Sequence, residues 1–451
     1  MKALLNNSNT MSWIAYAPVS NFADGFYGAG MANWFSLVYL ICTVPVGIVA
    51  MWAGQKFGLR TAILIAAWTN GIGGLIRFGS SFLGDGLRFP VAIFGQAIAS
   101  VAYPFIMFLP TKVAGTWFPD KQRAIATTIG VMSNPLGVLF ANLISPALVR
   151  SANHILYLNA LTFILCTIAC LIATVGVTRS EPKKPPTHSA SQAQMPFVEG
   201  LKKCFKSKAY MVLFLVMGGG IGMFNCLYTI MQQLLCPKGY DNVFSGICCS
   251  LMIVGGVFGA TGAGIFVGRT KMYEETMKVA MALAVIAGVV FTQLALHPHL
   301  QVWIAITCFM FGVLGLATYP VGLELSAECT FPVSETTSTG LIVLSGQVQG
   351  FIFVVLMSLL GKPLTQDAHL QKCTAEDTKD VVPKDMTLAV LVFSGVAVLL
   401  VLILIITFKP KYRRLNMEKN AGNKQAAGAK GKDDQGGVEL STISRSAPKT
   451  V

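Results

Sequence analysis

Charge is what this chain has least of. Only 12% of its 451 residues are Asp, Glu, Lys or Arg, against about 25% in a soluble domain. With 54% hydrophobic residues, that scarcity excludes a soluble globular enzyme, a disordered chain and a coiled coil, and leaves a polytopic membrane protein. Catalytic signatures are missing too: there is no HExxH, GxSxG or phosphate-loop motif, and no pair of carboxylates at active-site spacing. No CxxC pair or Cys/His spacing suggests a structural zinc. The eleven cysteines are an odd number with one clear loop member, Cys373, so no disulfide framework is expected. Most of the others lie in apolar runs and read as small buried hydrophobes. No catalytic residue, metal site or cofactor is expected.

What is present is a series of apolar runs of about 20 residues, the length that crosses a bilayer. They fall at Trp34–Gly54, Ala62–Leu83, Phe89–Leu109, Ala124–Leu148, Ile155–Val177, Met211–Leu235, Phe244–Val267, Val279–Leu296, Val302–Leu325, Thr339–Leu360 and Met386–Phe408. A twelfth, first span is inferred at Leu4–Val19, interrupted by the polar run Asn6–Thr10. It reads as a shortened helix, able to cross only if that polar run packs against protein. Asn6-Asn7-Ser8 matches a glycosylation pattern, but its place inside a span discounts it.

Net charge of +14 is a topology signal here, because basic residues gather in cytoplasmic loops. With both termini inside, 26 of the 34 Lys and Arg fall on the cytoplasmic side. Arg77, within the third span, and Arg88 are expected to snorkel to the outer interface. The chain divides into an N-terminal six-helix half at 1–178, a basic solvated linker at 179–209, a C-terminal half at 210–408 and a disordered, dispensable basic tail at 409–451. Related basic turns, Gly54–Arg60 after the second span and Gly264–Lys271 after the eighth, point to two halves repeated along the membrane normal.

The first turn resembles the loop signature of the major facilitator superfamily, matched at Lys56, Gly58 and Arg60. Gln55 replaces its acidic residue, and Gly268 holds the equivalent place in the second half. The resemblance implies an all-α polytopic fold of twelve transmembrane helices in two six-helix halves, and a missing brace that leans the conformational equilibrium inward. Three longer runs, Asn9–Pro18, Trp117–Ala124 continuing to Ser133–Gly137, and Glu324–Gln347, resemble the solute carrier 49 family of feline leukaemia virus subgroup C receptor-related transporters. That family implies alternating access around a central cavity, with choline, ethanolamine and in older assignments haem as solutes. In choline-carrying members a first-span Trp, a fifth-span Gln, a seventh-span Tyr and an eleventh-span Gln face that cavity. Trp13 and Gln347 match. Pro135 and Asn225 stand where the other two would be.

Physical chemistry singles out the same region. An indole face holds a quaternary ammonium that no acceptor can grip, and Tyr16 shares a helical face with Trp13. Asn225, Tyr228 and Gln232 form a polar stripe at three and four spacing on the seventh span. The candidate solute-binding residues are thus Trp13, Tyr16, Asn225, Tyr228 and Gln347. Each also admits a packing role. Gly218, Gly222, Gly255, Gly259, Gly346 and Gly350 form small-xxx-small pairs for close helix packing.

Candidate gating residues are Lys56, Arg60 and Arg269, with Arg123, facing the acidic cluster Glu324, Glu328 and Glu335. No span centre holds Asp or Glu, so proton coupling is not expected and movement should be facilitative. None of His154, His188, His297, His299 and His369 is central in a span, which ranks a haem transporter below a carrier of a small organic cation. A non-transporting receptor or scaffold stays open as the third reading. The expected partners are a small solute and the lipid bilayer, with no nucleic acid and a monomeric state, in the plasma membrane or an internal one.

Overall fold

The computed structural model describes residues 2–28, 30–182, 195–364 and 384–417. Among these, eleven helical segments are long and apolar enough to cross a membrane. In chain order the helices are α1 (Lys2–Ile14), α2 (Ser20–Tyr27), α3 (Ala32–Lys56), α4 (Gly58–Ser80), α5 (Asp85–Met107), α6 (Leu109–Trp117), α7 (Asp120–Leu148) and α8 (Ile155–Gly176). After a short helix α9 (Phe197–Lys206) come α10 (Lys208–Leu235), α11 (Asn242–Thr270), α12 (Tyr273–Leu294), α13 (Gln301–Thr330), α14 (Glu335–Leu360) and α15 (Thr387–Thr407). Helices α5 and α6 form one crossing, broken at Phe108 just before Leu109-Pro110.

The polar first span completes the set of twelve. It runs from Lys2 to Tyr27 through α1, a 3-10 turn at Ala17–Val19 and α2, with Pro18 at the break. Its polar run is mostly buried and largely hydrogen-bonded, with only Asn9 Oδ1 left without a partner among its buried side-chain atoms. Asn6 donates to Ser133 Oγ at 2.8 Å, Asn9 to Asn70 Oδ1 at 2.9 Å and to the Ala99 carbonyl at 3.0 Å, and Asn134 to Thr10 Oγ1 at 2.5 Å. This lets an uncharged polar helix stand where lipid alone would reject it.

The small-xxx-small pairs do what their spacing suggests. A Cβ at Gly222 of α10 would lie 2.7 Å from the Gly350 nitrogen of α14, and one at Gly259 of α11 would meet the Val313 carbonyl of α13. At the α3–α4 turn Gly58 has φ +79°, a left-handed conformation that favours glycine.

Two faces of the bundle can be told apart. The linker face carries α9, the α3–α4 turn and the segment after α15. The loop face carries the α2–α3 and α10–α11 connections and a two-stranded hairpin, β1 (Lys362–Pro363) and β2 (Lys384–Asp385).

Several expectations need correction. Arg77 does not snorkel: it is 1% exposed, donating to the Ser12 carbonyl and Gln96 Oε1, both at 2.8 Å, and to Thr162 Oγ1 at 2.5 Å. The linker is not wholly solvated, because α9 docks through Gly200 and the buried Cys204, and Lys203 Nζ donates to the Phe331 carbonyl at 3.3 Å. Nor is the whole tail disordered, since residues 413–417 form a helical turn packed under the bundle. Cys236 is disulfide-bonded, against the expectation of no framework. Residues 183–194, the loop residues His369 and Cys373, and the tail beyond 417 lie outside the described residues.

Candidate functional site

Between the two groups of helices lies a cavity of about 90 Å³ lined by α5, α7, α10, α12, α13 and α15. Tyr103 of α5 with Asn134 and Pro135 of α7 form its wall on the N-terminal side. Asn225 and Tyr228 of α10 and Tyr319 of α13 face it from the other. No Asp, Glu, Lys, Arg or His is among the lining residues. Phe224 and Phe311 stack in its wall, ring centroids 4.7 Å apart at 10°.

The predicted site residues divide into three groups. Asn225 and Tyr228 face the cavity, as do Pro135 and Asn225 at the two positions where the family pattern departs. The Asn225 amide nitrogen and the Tyr228 hydroxyl are buried without a hydrogen-bond partner, an arrangement that costs about 1–3 kcal/mol per group until something satisfies it. Trp13 and Gln347 form a layer behind Tyr103. Gln347 Nε2 donates to the Tyr103 hydroxyl at 3.1 Å, and the Trp13 ring lies 6.5 Å from the Tyr103 ring, its nitrogen donating to the Ser36 carbonyl. Tyr16 is elsewhere. It packs at 1% exposure against Phe35 and Tyr27, with its hydroxyl on Asn159 and the Arg77 guanidinium 5.3 Å from its ring.

Sequence reading missed Tyr103 and Tyr319, although a signal was there. Both are followed by proline, Tyr103-Pro104 in the fourth crossing and Tyr319-Pro320 in the tenth, equivalent helices of the two halves. The two tyrosines lie within electrostatic reach of each other. Each proline removes one helical hydrogen bond, so both helices are locally weakened where they border the cavity.

At both faces of the bundle the halves are bridged by hydrogen bonds. On the loop face Ser20 donates to Gln232 Oε1 at 3.1 Å, Asn242 to Asn21 at 2.9 Å and Gln233 to Asn33 at 3.0 Å. Gln232, the last of the polar stripe, thus belongs to a closure rather than to the cavity wall. On the linker face Thr111 and Thr339 hydrogen-bond at 3.1 Å, and Thr127 of α7 donates to Glu324 of α13.

The acidic cluster has a partner that the sequence did not suggest. Arg414, 3% exposed, lies 2.8 Å from Glu335, 3.5 Å from Glu328 and 3.9 Å from Glu324. The Leu415 nitrogen adds a bond to Glu328 at 3.0 Å. Buried Arg123 contributes a second positive charge near Glu335. Lys56, Arg60 and Arg269 are exposed. Lys56 lies over the Trp52 ring and the Arg60 backbone N–H donates to Ser180 Oγ, whereas Glu324, Glu328 and Glu335 form ion pairs with Arg414. Gln55, which replaces the superfamily's acid, donates to the Met195 carbonyl at 2.8 Å and holds the approach to α9.

Residues 3–362 match the Major Facilitator Superfamily. The fold is shared with solved transporters of that kind: the D-xylose-proton symporter superposes with a TM-score of 0.63 at 13% identity, over 90% of this chain and 97% of the symporter. The protein is therefore a multi-pass membrane transporter of the superfamily. Solute carrier family 49 member A3 of Xenopus tropicalis is 37% identical over 429 residues, covering 92% of this chain and 87% of the relative. The choline/ethanolamine transporter FLVCR2 of Homo sapiens is 30% identical over 362 residues, 77% and 68% of the two chains. Within the superfamily, the chain belongs to the solute carrier 49 family.

Proposed function

We propose that this transporter moves a small organic cation of the choline or ethanolamine type by alternating access, downhill and without ion coupling. The observation that carries the reading is a cavity between the halves that offers aromatic rings and amide and hydroxyl groups but no charged side chain. A quaternary ammonium has no proton to donate, and ring faces attract it by about 0.5 to 2 kcal/mol each. Tyr103, Tyr228 and Tyr319 are the rings placed for this. Asn225 and Asn134 would hold a hydroxyl, while Gln347 and Trp13 fix the Tyr103 ring from behind. The name of the human relative FLVCR2 supports the solute class.

The absence of any carboxylate from the lining favours facilitative movement, because intramembrane acids are the usual proton relays. The basic excess supports a cytoplasmic linker face, and the reading takes the protein as a monomer that performs no catalysis. The test is uptake of radiolabelled choline and ethanolamine into proteoliposomes. Saturable uptake that rises with an inside-negative potential, ignores a pH gradient at zero potential and is lost in Tyr228→Ala is expected. Ohmic conductance, or no uptake of any amine, would overturn it.

A further inference from the structure

The cavity is not confined to the boundary between the halves. Along α12 the lining residues recur at Met281, Ala284, Gly288 and Thr292, one face of a helix over about 16 Å at 1.5 Å per residue. On α15 the lining is Phe393, Ser394 and Ala397. This part of the cavity lies wholly within the C-terminal half, and small residues hollow it out. A Cβ at Gly288 would come 2.9 Å from the Phe311 ring, and one at Gly315 would come 2.6 Å from the Phe224 ring. Glycine at these two places is what seats the stacked pair as a flat wall. The hydroxyls in this part, Thr292 and Ser394, hydrogen-bond each other at 3.0 Å and ask nothing of a ligand. By contrast Asn225 and Tyr228 present unpartnered polar atoms. One cavity therefore has a region that calls for hydrogen-bonding groups and an apolar annex whose own polar groups are satisfied.

We infer that the annex holds the apolar portion of the solute, and that the preferred class is an amphiphilic ammonium compound, an O-acyl amino alcohol. Its cationic head would lie among the tyrosines, its ester oxygens at Asn225 and Tyr228, and its chain between α10, α12 and α15. The Asn225 amide needs an acceptor: the hydroxyl oxygen of a free amino alcohol can supply it, and an ester carbonyl supplies it while carrying a chain on into the annex. The inference rests on the cation reading above and extends it.

The test is binding to nanodisc-reconstituted protein, read as displacement of radiolabelled choline or as thermal stabilisation. The probes are choline, its acyl esters of increasing chain length and uncharged methyl esters of the same acids, all below micellar concentrations. Affinity for the acyl cholines should rise by about fourfold per methylene while the annex fills, and the methyl esters should bind far more weakly. In Ala284→Phe, and independently in Ala397→Phe from the other helix, the rise with chain length should flatten. Affinity that is level or falls as the chain grows in the unsubstituted protein would overturn the annex assignment while leaving the cation reading intact. Methyl esters that bind as tightly as acyl cholines, with the same dependence on length, would overturn the cation reading and leave the annex.

Discussion

Arg77 was the residue least legible in the sequence. An arginine near the end of an apolar run normally reaches for the interface, and nothing in the neighbouring residues says otherwise. Its partners are Ser12, Gln96 and Thr162, from helices distant in sequence, so only the folded bundle reveals that it is a buried bracket between α1, α4, α5 and α8. Replacing it with methionine keeps much of the volume but removes the donors to Gln96 Oε1 and Thr162 Oγ1 and one of the two to the Ser12 carbonyl, which Gln96 Nε2 also reaches. At about 1.5–3 kcal/mol for each hydrogen bond to a charged group, Arg77→Met should cost at least about 3 kcal/mol. Thermal unfolding in detergent should show a clear loss of stability, and a neutral effect would mean the bracket carries no load. The candidate site was more open to inspection, since Asn225 and Tyr228 stood out as polar residues in an apolar helix. Tyr16 misled because helical spacing from Trp13 fixes a face only approximately, and Pro18 breaks the helix soon after.

At the scale of elements, periodicity located the apolar spans within a few residues, because hydrocarbon thickness sets their length. It failed for the short segments docked on the linker face of the bundle. The α9 helix and residues 413–417 are too short and too charged to register as spans, and their docking depends on tertiary contacts. Arg414 brings the second of these under the bundle, where removing one member of a buried charge cluster typically costs about 3–5 kcal/mol. Arg414→Gln should therefore destabilise the protein and expose the linker face, whereas truncation after residue 417 should do neither. Fluorescence-detected thermal stability compares the two directly, and equal behaviour would count against the docked segment. For α9 the reporter is Cys204, whose thiol is pushed up to about 12 by burial. At pH 8 it should resist maleimide while α9 is docked, and rapid labelling would show that it is not.

At the scale of the whole molecule, the two closures differ in kind. The loop face is held by neutral hydrogen bonds among Ser20, Gln232, Asn242 and Asn21, each worth about 0.5–1.5 kcal/mol net. The linker face adds a buried cluster of charges around Arg414. The loop face should accordingly be the easier one to open. Gln232→Leu, which removes the Ser20 bond across that closure and the bond that holds Asn242 beside it, is expected to increase the reactivity of a cysteine introduced at the buried Val19 toward a membrane-impermeant reagent added from that side. Unchanged reactivity would show that the amide bonds do not hold the face shut.

The uncharged cavity has an electrical consequence. A fixed carboxylate or guanidinium in the binding region would be displaced through the membrane field each time an empty carrier changed face, at about 2.3 kcal/mol per charge per 100 mV for a full crossing. In the proposed alternating-access cycle, the binding region carries no charge of its own through the field on the unloaded return, so that voltage acts there only through the cargo. A cation would then be drawn toward the negative compartment, while a neutral analogue would equilibrate with no bias from the binding region.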